Sequence, residues 1–152
     1  MTATFAAMLD PQLQPIVDAI NAAPAEGEPT VEEARLGYEA LSTIAGPGPD
    51  LESVEDRTFQ GPAGEVPVRL YRAGEAHGVL LYFHGGGHTI GSIDSHDQPC
   101  RQLAAESDAT VISVGYRLAP EDPFPAAVDD AWAAVGWADA NRAELGGSGG
   151  AG

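Results

Sequence analysis

The chain has 152 residues, 43% of them apolar, with 23 acidic residues against seven basic ones and a net charge of −16. That length fits one domain burying about 68–70% of its unfolded surface, and the charge repels phosphate backbones and anionic lipid, which excludes nucleic acid and membrane surfaces as partners. No stretch reaches the roughly 20 apolar residues of a membrane span, the start MTATFAAMLDPQ lacks the basic region of a signal peptide, and the single Cys100 admits no internal disulfide, so a reducing, cytoplasmic location is expected.

Residues 1–45 read as helical. Asp10 and Pro11 open a first helix with Leu13, Ile16, Val17 and Ile20 on one side, and Pro15 lies in its first turn. A second helix starts at the capping box Thr30/Glu33 and carries Val31, Ala34, Tyr38 and Leu41 at helical spacing until AGPGPD breaks the chain. The period then changes from helical to alternating. SVEDRTFQ and VPVRLYR, joined through GPAGE, predict an antiparallel hairpin. GVLLYF (78–83) and ATVISVGY (109–116) are continuous apolar runs suited to strands covered on both faces, and the segment between them fits a crossover helix with its N-cap at Asp94 or Ser95. Cys100 falls in that helix and reads as buried filler. A last helix is expected from about Pro125 to Arg142 with Ala127, Val128, Ala131, Trp132 and Val135 on its apolar face. Residues 146–152 form a flexible glycine-rich tail.

The stretch YFHGGGHTIGS sets three glycines between two histidines at the end of the GVLLYF strand. Each glycine costs conformational entropy on folding, which implies that something must approach the backbone closely, and exposed N–H groups there suit a negatively charged oxygen. One such oxygen is a nucleotide phosphate, in a dinucleotide-binding βαβ unit. The G-x-G-x-x-G fingerprint misses, however, because Ile90 takes the last position and Gly91 comes one residue late. A phosphate-binding Walker loop would need a lysine, and the chain has none. A metal held by His84 and His88 is disfavoured because the glycines between them oppose the helix on which a zinc-binding pair rides.

The other candidate is the oxyanion of acyl transfer. His84-Gly85-Gly86-Gly87 spells the H-G-G-G signature of lipase and esterase oxyanion loops, and YRLAPEDPFPAAVDDAW (116–132) is a second signature of the same group. Over residues 9–147 the chain resembles the hormone-sensitive-lipase-like esterases, the family IV or α/β-hydrolase-3 group. The resemblance implies an α/β fold that is the N-terminal part of an α/β-hydrolase. Residues 1–45 would be a helical cap segment, residues 46–145 the N-terminal half of the hydrolase domain, and the chain would stop before the nucleophile strand. It implies a carboxylic ester hydrolase acting on short acyl esters through a Ser-His-Asp mechanism, with no cofactor or metal. Gly86 and Gly87 would bind the oxyanion, with His84 and Gly85 supporting the loop.

Tyr116, Arg117, Glu121 and Asp122 read as a structural turn in which Arg117 pairs with a carboxylate, the alternative being contact with substrate. Asp129 and Asp130, about 100° apart on a helix, read as a solvated face. One formal nucleophile elbow exists, Gly146-Gly147-Ser148-Gly149-Gly150. No buried strand precedes it, only four residues follow Ser148, and all four histidines (77, 84, 88 and 96) come before it, so Ser148 is a decoy. The expectation is a chain inactive alone. In the family's sheet order its GVLLYF strand would be a bare apolar edge, open to self-association or to pairing with another chain.

Overall fold

The computed structural model describes residues 10–22, 27 and 29–146. The side chain of Ile20 and the tail with Ser148 lie outside the described residues. A single sheet of four strands carries a helix on each face. Strands β1 (Ser53–Gly61) and β2 (Gly64–Arg72) form the expected antiparallel hairpin, closed between Gly61 and Gly64. β3 (Gly78–Phe83) and β4 (Ala109–Val114) run parallel, Gly78 opposite Ala109 and Phe83 opposite Val114. β4 then pairs antiparallel with β2, Leu70 opposite Ile112, so the order is β1-β2-β4-β3.

Ahead of the sheet, α1 (Gln14–Ala22) follows a turn in which Asp10 accepts the Gln12 amide at 2.9 Å. α2 (Val31–Ser42) begins at the Thr30/Glu33 capping box, both hydrogen bonds of which are present. It buries no residue, and Leu41 is exposed. An isolated helix of 12 residues is marginal in water, so its position depends on polar anchors.

The two faces of β4 differ in partner. Toward α4 (Ala126–Ala140) lie Phe59, Val66, Val68, Leu70, Ile112 and Val114, with Phe59 stacked on Trp137 at 5.1 Å. Toward α3 (Asp97–Glu106) lie Tyr71, Cys100, Ala104 and Val111. Each fully buried Val, Leu or Ile contributes about 1.5–3 kcal/mol relative to exposure, which makes β4, buried from Thr110 to Val114, the spine of the core. Cys100 is fully buried as expected, and that burial pushes its thiol up to about 11.

Four expectations are corrected. β3 is only half-buried, because it is an edge strand. α3 starts at Asp97 rather than after a cap at Asp94 or Ser95: Asp94 is drawn to Arg69 at 2.8 Å, and Ser95 is spent on Ser92, whose amide it accepts at 2.7 Å. The buried face of α4 is Ala126, Asp130, Ala134 and Ala138, while Val128, Trp132 and Val135 are exposed. The small residues let the helix approach the sheet closely and turn the larger apolar ones outward. Asp130, expected on a solvated face, is fully buried, whereas Asp129 stays exposed.

Candidate active site

At the carboxyl end of β3 the chain enters the loop 84–91, the position where open α/β sheets bind their ligands. Gly86 has φ +125°, and a Cβ there would lie 2.0 Å from the Ile90 carbonyl oxygen, so only glycine fits. Its own carbonyl accepts the Thr89 and Ile90 amides at 3.1 and 3.0 Å, closing a tight turn. Gly87 (φ 62°) and His88 (φ 60°) are both left-handed, and His88 is the single non-glycine with positive φ among the described residues. The turn leaves the amides of Gly86 and Gly87 without an acceptor among the described residues. Two adjacent unpaired N–H groups in a left-handed turn form a concavity that attracts an oxyanion.

The loop is held from below. His84 is buried and stacks on Tyr116, with centroids 4.4 Å apart and planes at 16°. Its Nδ1 lies 2.9 Å from the Gly85 carbonyl, which can only accept, so Nδ1 carries the proton. The Tyr116 hydroxyl donates to the His84 carbonyl at 2.6 Å. Burial pushes the His84 imidazole below the usual histidine range, against a smaller opposing effect of the Gly85 carbonyl. His84 is therefore neutral at pH 7 and is committed to the loop. Gly91 is equally constrained: a Cβ there would meet the Gly85 oxygen at 2.5 Å and His84 Nδ1 at 2.6 Å. In the sequence Gly91 stands out only for spoiling a nucleotide fingerprint; its packing on a histidine seven positions earlier leaves no local signal.

Above the loop, Arg35 on α2 donates to the carbonyls of Thr89 (2.8 Å) and Ala119 (2.9 Å) and grips Glu121 with both terminal nitrogens, at 2.9 and 2.7 Å. The Arg35 hydrogen bonds hold the Glu121 carboxyl down to about 2. Arg35 was absent from the sequence reading because its partners are 54 to 86 positions away. Beside the loop, Arg117 pairs with a carboxylate as expected, and the partner is Asp130, bonded at 2.8 Å through both Nε and a terminal nitrogen and at 3.0 Å by the Arg117 amide. Burial alone would raise the Asp130 carboxyl, but these bonds outweigh it and hold it below the usual carboxylate range.

A mostly apolar cavity of about 300 Å³ adjoins the loop, walled by Phe83, His88, Tyr116, Ala127, Val128 and Ala131. A second, of about 160 Å³, shares His88, Ala127 and Val128 with it. Nucleophilic machinery is not gathered here. Among the described residues the serine within reach of an imidazole is Ser95, 3.1 Å from His96 Nδ1, and its hydroxyl is engaged with Ser92. No three His, Cys, Asp or Glu side chains converge as a metal site would need among the described residues. Nor do the glycines open a helix as a dinucleotide site requires: the Ser92–Ser95 turn separates Gly91 from α3.

A family model described as the α/β hydrolase fold matches residues 80–150. The carboxylic ester hydrolase LipN of Mycobacterium tuberculosis is 42% identical over 86% of this chain and 36% of its own length. The ethyl acetate hydrolase of Pseudomonas putida is 44% identical over 70% of this chain and 36% of its own. In three dimensions, the hyperthermophilic esterase of Pyrobaculum calidifontis superposes with a TM-score of 0.84 at 40% identity, over 93% of this chain and 47% of that one. The chain thus spans between a third and a half of the length of these relatives. With fold, element order and sequence agreeing over the same residues, the chain carries the amino-terminal part of the α/β hydrolase fold and resembles the hormone-sensitive-lipase-like esterases of the α/β-hydrolase-3 group.

Proposed function

We propose that this chain is the oxyanion-binding part of a carboxylic ester hydrolase that acts on short acyl esters. The observation that carries the reading is the pair of Gly86 and Gly87 amides, unpaired among the described residues, in the loop whose His84 and His88 line an apolar cavity. When a nucleophile adds to an ester carbonyl, the oxygen gains a full negative charge. Donors already held in place stabilise that charge without reorganising, and one such donor contributes about 10²–10³ in turnover. His84 and Gly85 support the donors, and Tyr116 and Arg35 fix the loop from opposite sides. A cavity of about 300 Å³ is at the small end of ligand sites, which favours a short acyl group. The ethyl acetate hydrolase among the relatives agrees with that choice. By the resemblance, residues 1–45 are assigned to the cap segment. The serine nucleophile and its histidine base come from outside the described residues, and the 152-residue chain by itself hydrolyses esters no faster than buffer. We place the protein in the cytoplasm: no helix among the described residues is long and apolar enough to cross a membrane, and its one thiol is buried.

The test separates binding from turnover. Butylphosphonate, a tetrahedral anion with a short chain, is titrated into the 15N-labelled protein. Downfield shifts of the Gly86 and Gly87 amides are expected; shifts confined to other residues, or none, overturn the oxyanion assignment.

A further inference from the structure

We infer that Arg35 is the positioning residue for the Gly87 oxyanion donor, and that through it the docking of α2 and the shape of the 86–90 turn are one equilibrium. The inference rests on the oxyanion reading above. In a trans peptide the carbonyl and the following N–H lie in one plane and point in opposite directions. Whatever grips the carbonyl of one residue therefore aims the amide of the next.

The two donors are aimed by different parts of the molecule. The Gly86 amide shares its peptide with the Gly85 carbonyl, which His84 Nδ1 holds at 2.9 Å, so the buried histidine sets that donor. The Gly87 amide shares its peptide with the Gly86 carbonyl, which the Thr89 and Ile90 amides hold at 3.1 and 3.0 Å. The Thr89 hydroxyl also donates to the Gly87 carbonyl at 3.3 Å. Thr89 is in turn fixed from α2, where Arg35 Nε donates to its carbonyl at 2.8 Å. A terminal nitrogen of the same guanidinium donates to the Ala119 carbonyl at 2.9 Å, and the Ala119 amide donates back to the His88 carbonyl at 2.8 Å. The fork thus holds the turn at two places. Between them His88 is left-handed, with φ 60°, a conformation that persists outside glycine only where its surroundings over-determine it.

The same bonds hold the helix. α2 buries no residue, and Leu36 and Leu41 face outward. A second contact, Tyr38 Oη at 3.5 Å from His96 Nε2, is at the limit of a hydrogen bond. With no core contact to seat it, α2 docks through the groups that shape the turn. Coupling of this kind is reciprocal: an oxyanion that fixes the turn favours the docked helix, and loosening the helix weakens the oxyanion site.

Butylphosphonate is titrated into the 15N-labelled 152-residue chain and its variants. Arg35→Ala is expected to weaken binding about fivefold or more, with the induced shift lost at Gly87 and kept at Gly86, and with the melting temperature nearly unchanged. Arg35→Lys keeps the charge without the fork and stays weak, whereas methylguanidinium restores binding to Arg35→Ala. Thr30→Ala removes the cap of α2 at a side chain bonded to Glu33 and not to the loop, and should weaken binding by a smaller factor. Binding by Arg35→Ala equal to wild type, equal loss at both glycines, no rescue by methylguanidinium, or indifference to Thr30→Ala each overturns the inference. A wild-type chain without glycine shifts overturns the oxyanion reading instead. The coupling is then judged on the Thr89 and Ile90 amides: faster hydrogen exchange there in Arg35→Ala keeps it, and unchanged exchange overturns it.

Discussion

At the scale of single residues, the loop is governed by what has no side chain. Gly86 and Gly91 are required by contacts that a methyl group would violate, whereas Gly87 needs only its left-handed backbone. The H-G-G-G run was legible because three glycines in sequence are an unusual entropic expense beside an apolar strand. The burial of His84 was not, since nothing local tells a stacked histidine from a solvated one. That burial has a consequence in pH. A depressed pKa in the folded state means that the unfolded chain binds the proton more readily, so the stabilisation is complete above the unfolded value of about 6.5 and is lost as pH falls below it. The melting temperature should therefore fall between pH 7.5 and pH 5.5, and fall less in His84→Gln. An equal fall in both proteins would assign the effect elsewhere. The carboxylates Asp97 and Asp130, held below their usual range, act only in stronger acid.

At the scale of elements, α2 and α4 show how far periodicity reaches. The Thr30/Glu33 box placed the start of α2 correctly, because a cap is a contact between neighbours in sequence. What the helix rests on is a different matter: it buries no residue and is tied to the loop through Arg35. Arg35→Ala should accordingly raise hydrogen exchange across 31–42 while leaving the global melting temperature nearly unchanged, since an exposed ion pair contributes little to stability. A marked fall in that melting temperature would show that α2 belongs to the cooperative core. In α4 the apolar pattern pointed to the wrong face. Ala126, Ala134 and Ala138 pack on the sheet, and Asp130 joins them because Arg117 neutralises it. Removing one member of such a pair leaves an uncompensated charge, so the turn 116–130 and the helix are coupled.

At the scale of the whole molecule, charge works against the fold. All seven basic residues are arginine, and Arg57, Arg69, Arg72 and Arg117 each meet more than one carboxylate or pair within the sheet and its turns. The remaining acidic residues repel one another across the surface, an effect that salt screens over about 10 Å at 0.1 M. The melting temperature should rise as sodium chloride goes from about 10 to about 300 mM, measured by calorimetry at pH 7.5. A fall would mean that the arginine pairs outweigh the repulsion.

The amino-acid sequence by itself determined the order of helices and strands, the hairpin, the βαβ unit and the place of the glycine-rich loop at the end of β3. These depend on periodicity, turn residues and caps, which are interactions between near neighbours, and on a motif that is read as a string. Only the tertiary structure decided that β3 is half-covered, that Asp130 is buried against Arg117, that Arg35 anchors the loop, and that Gly91 must lack a side chain. Each of those depends on what a distant segment brings into contact. An apolar stripe on a helix records that it will be covered without recording by what: in α4 the alanines took the sheet, and Val128, Trp132 and Val135 were left facing outward.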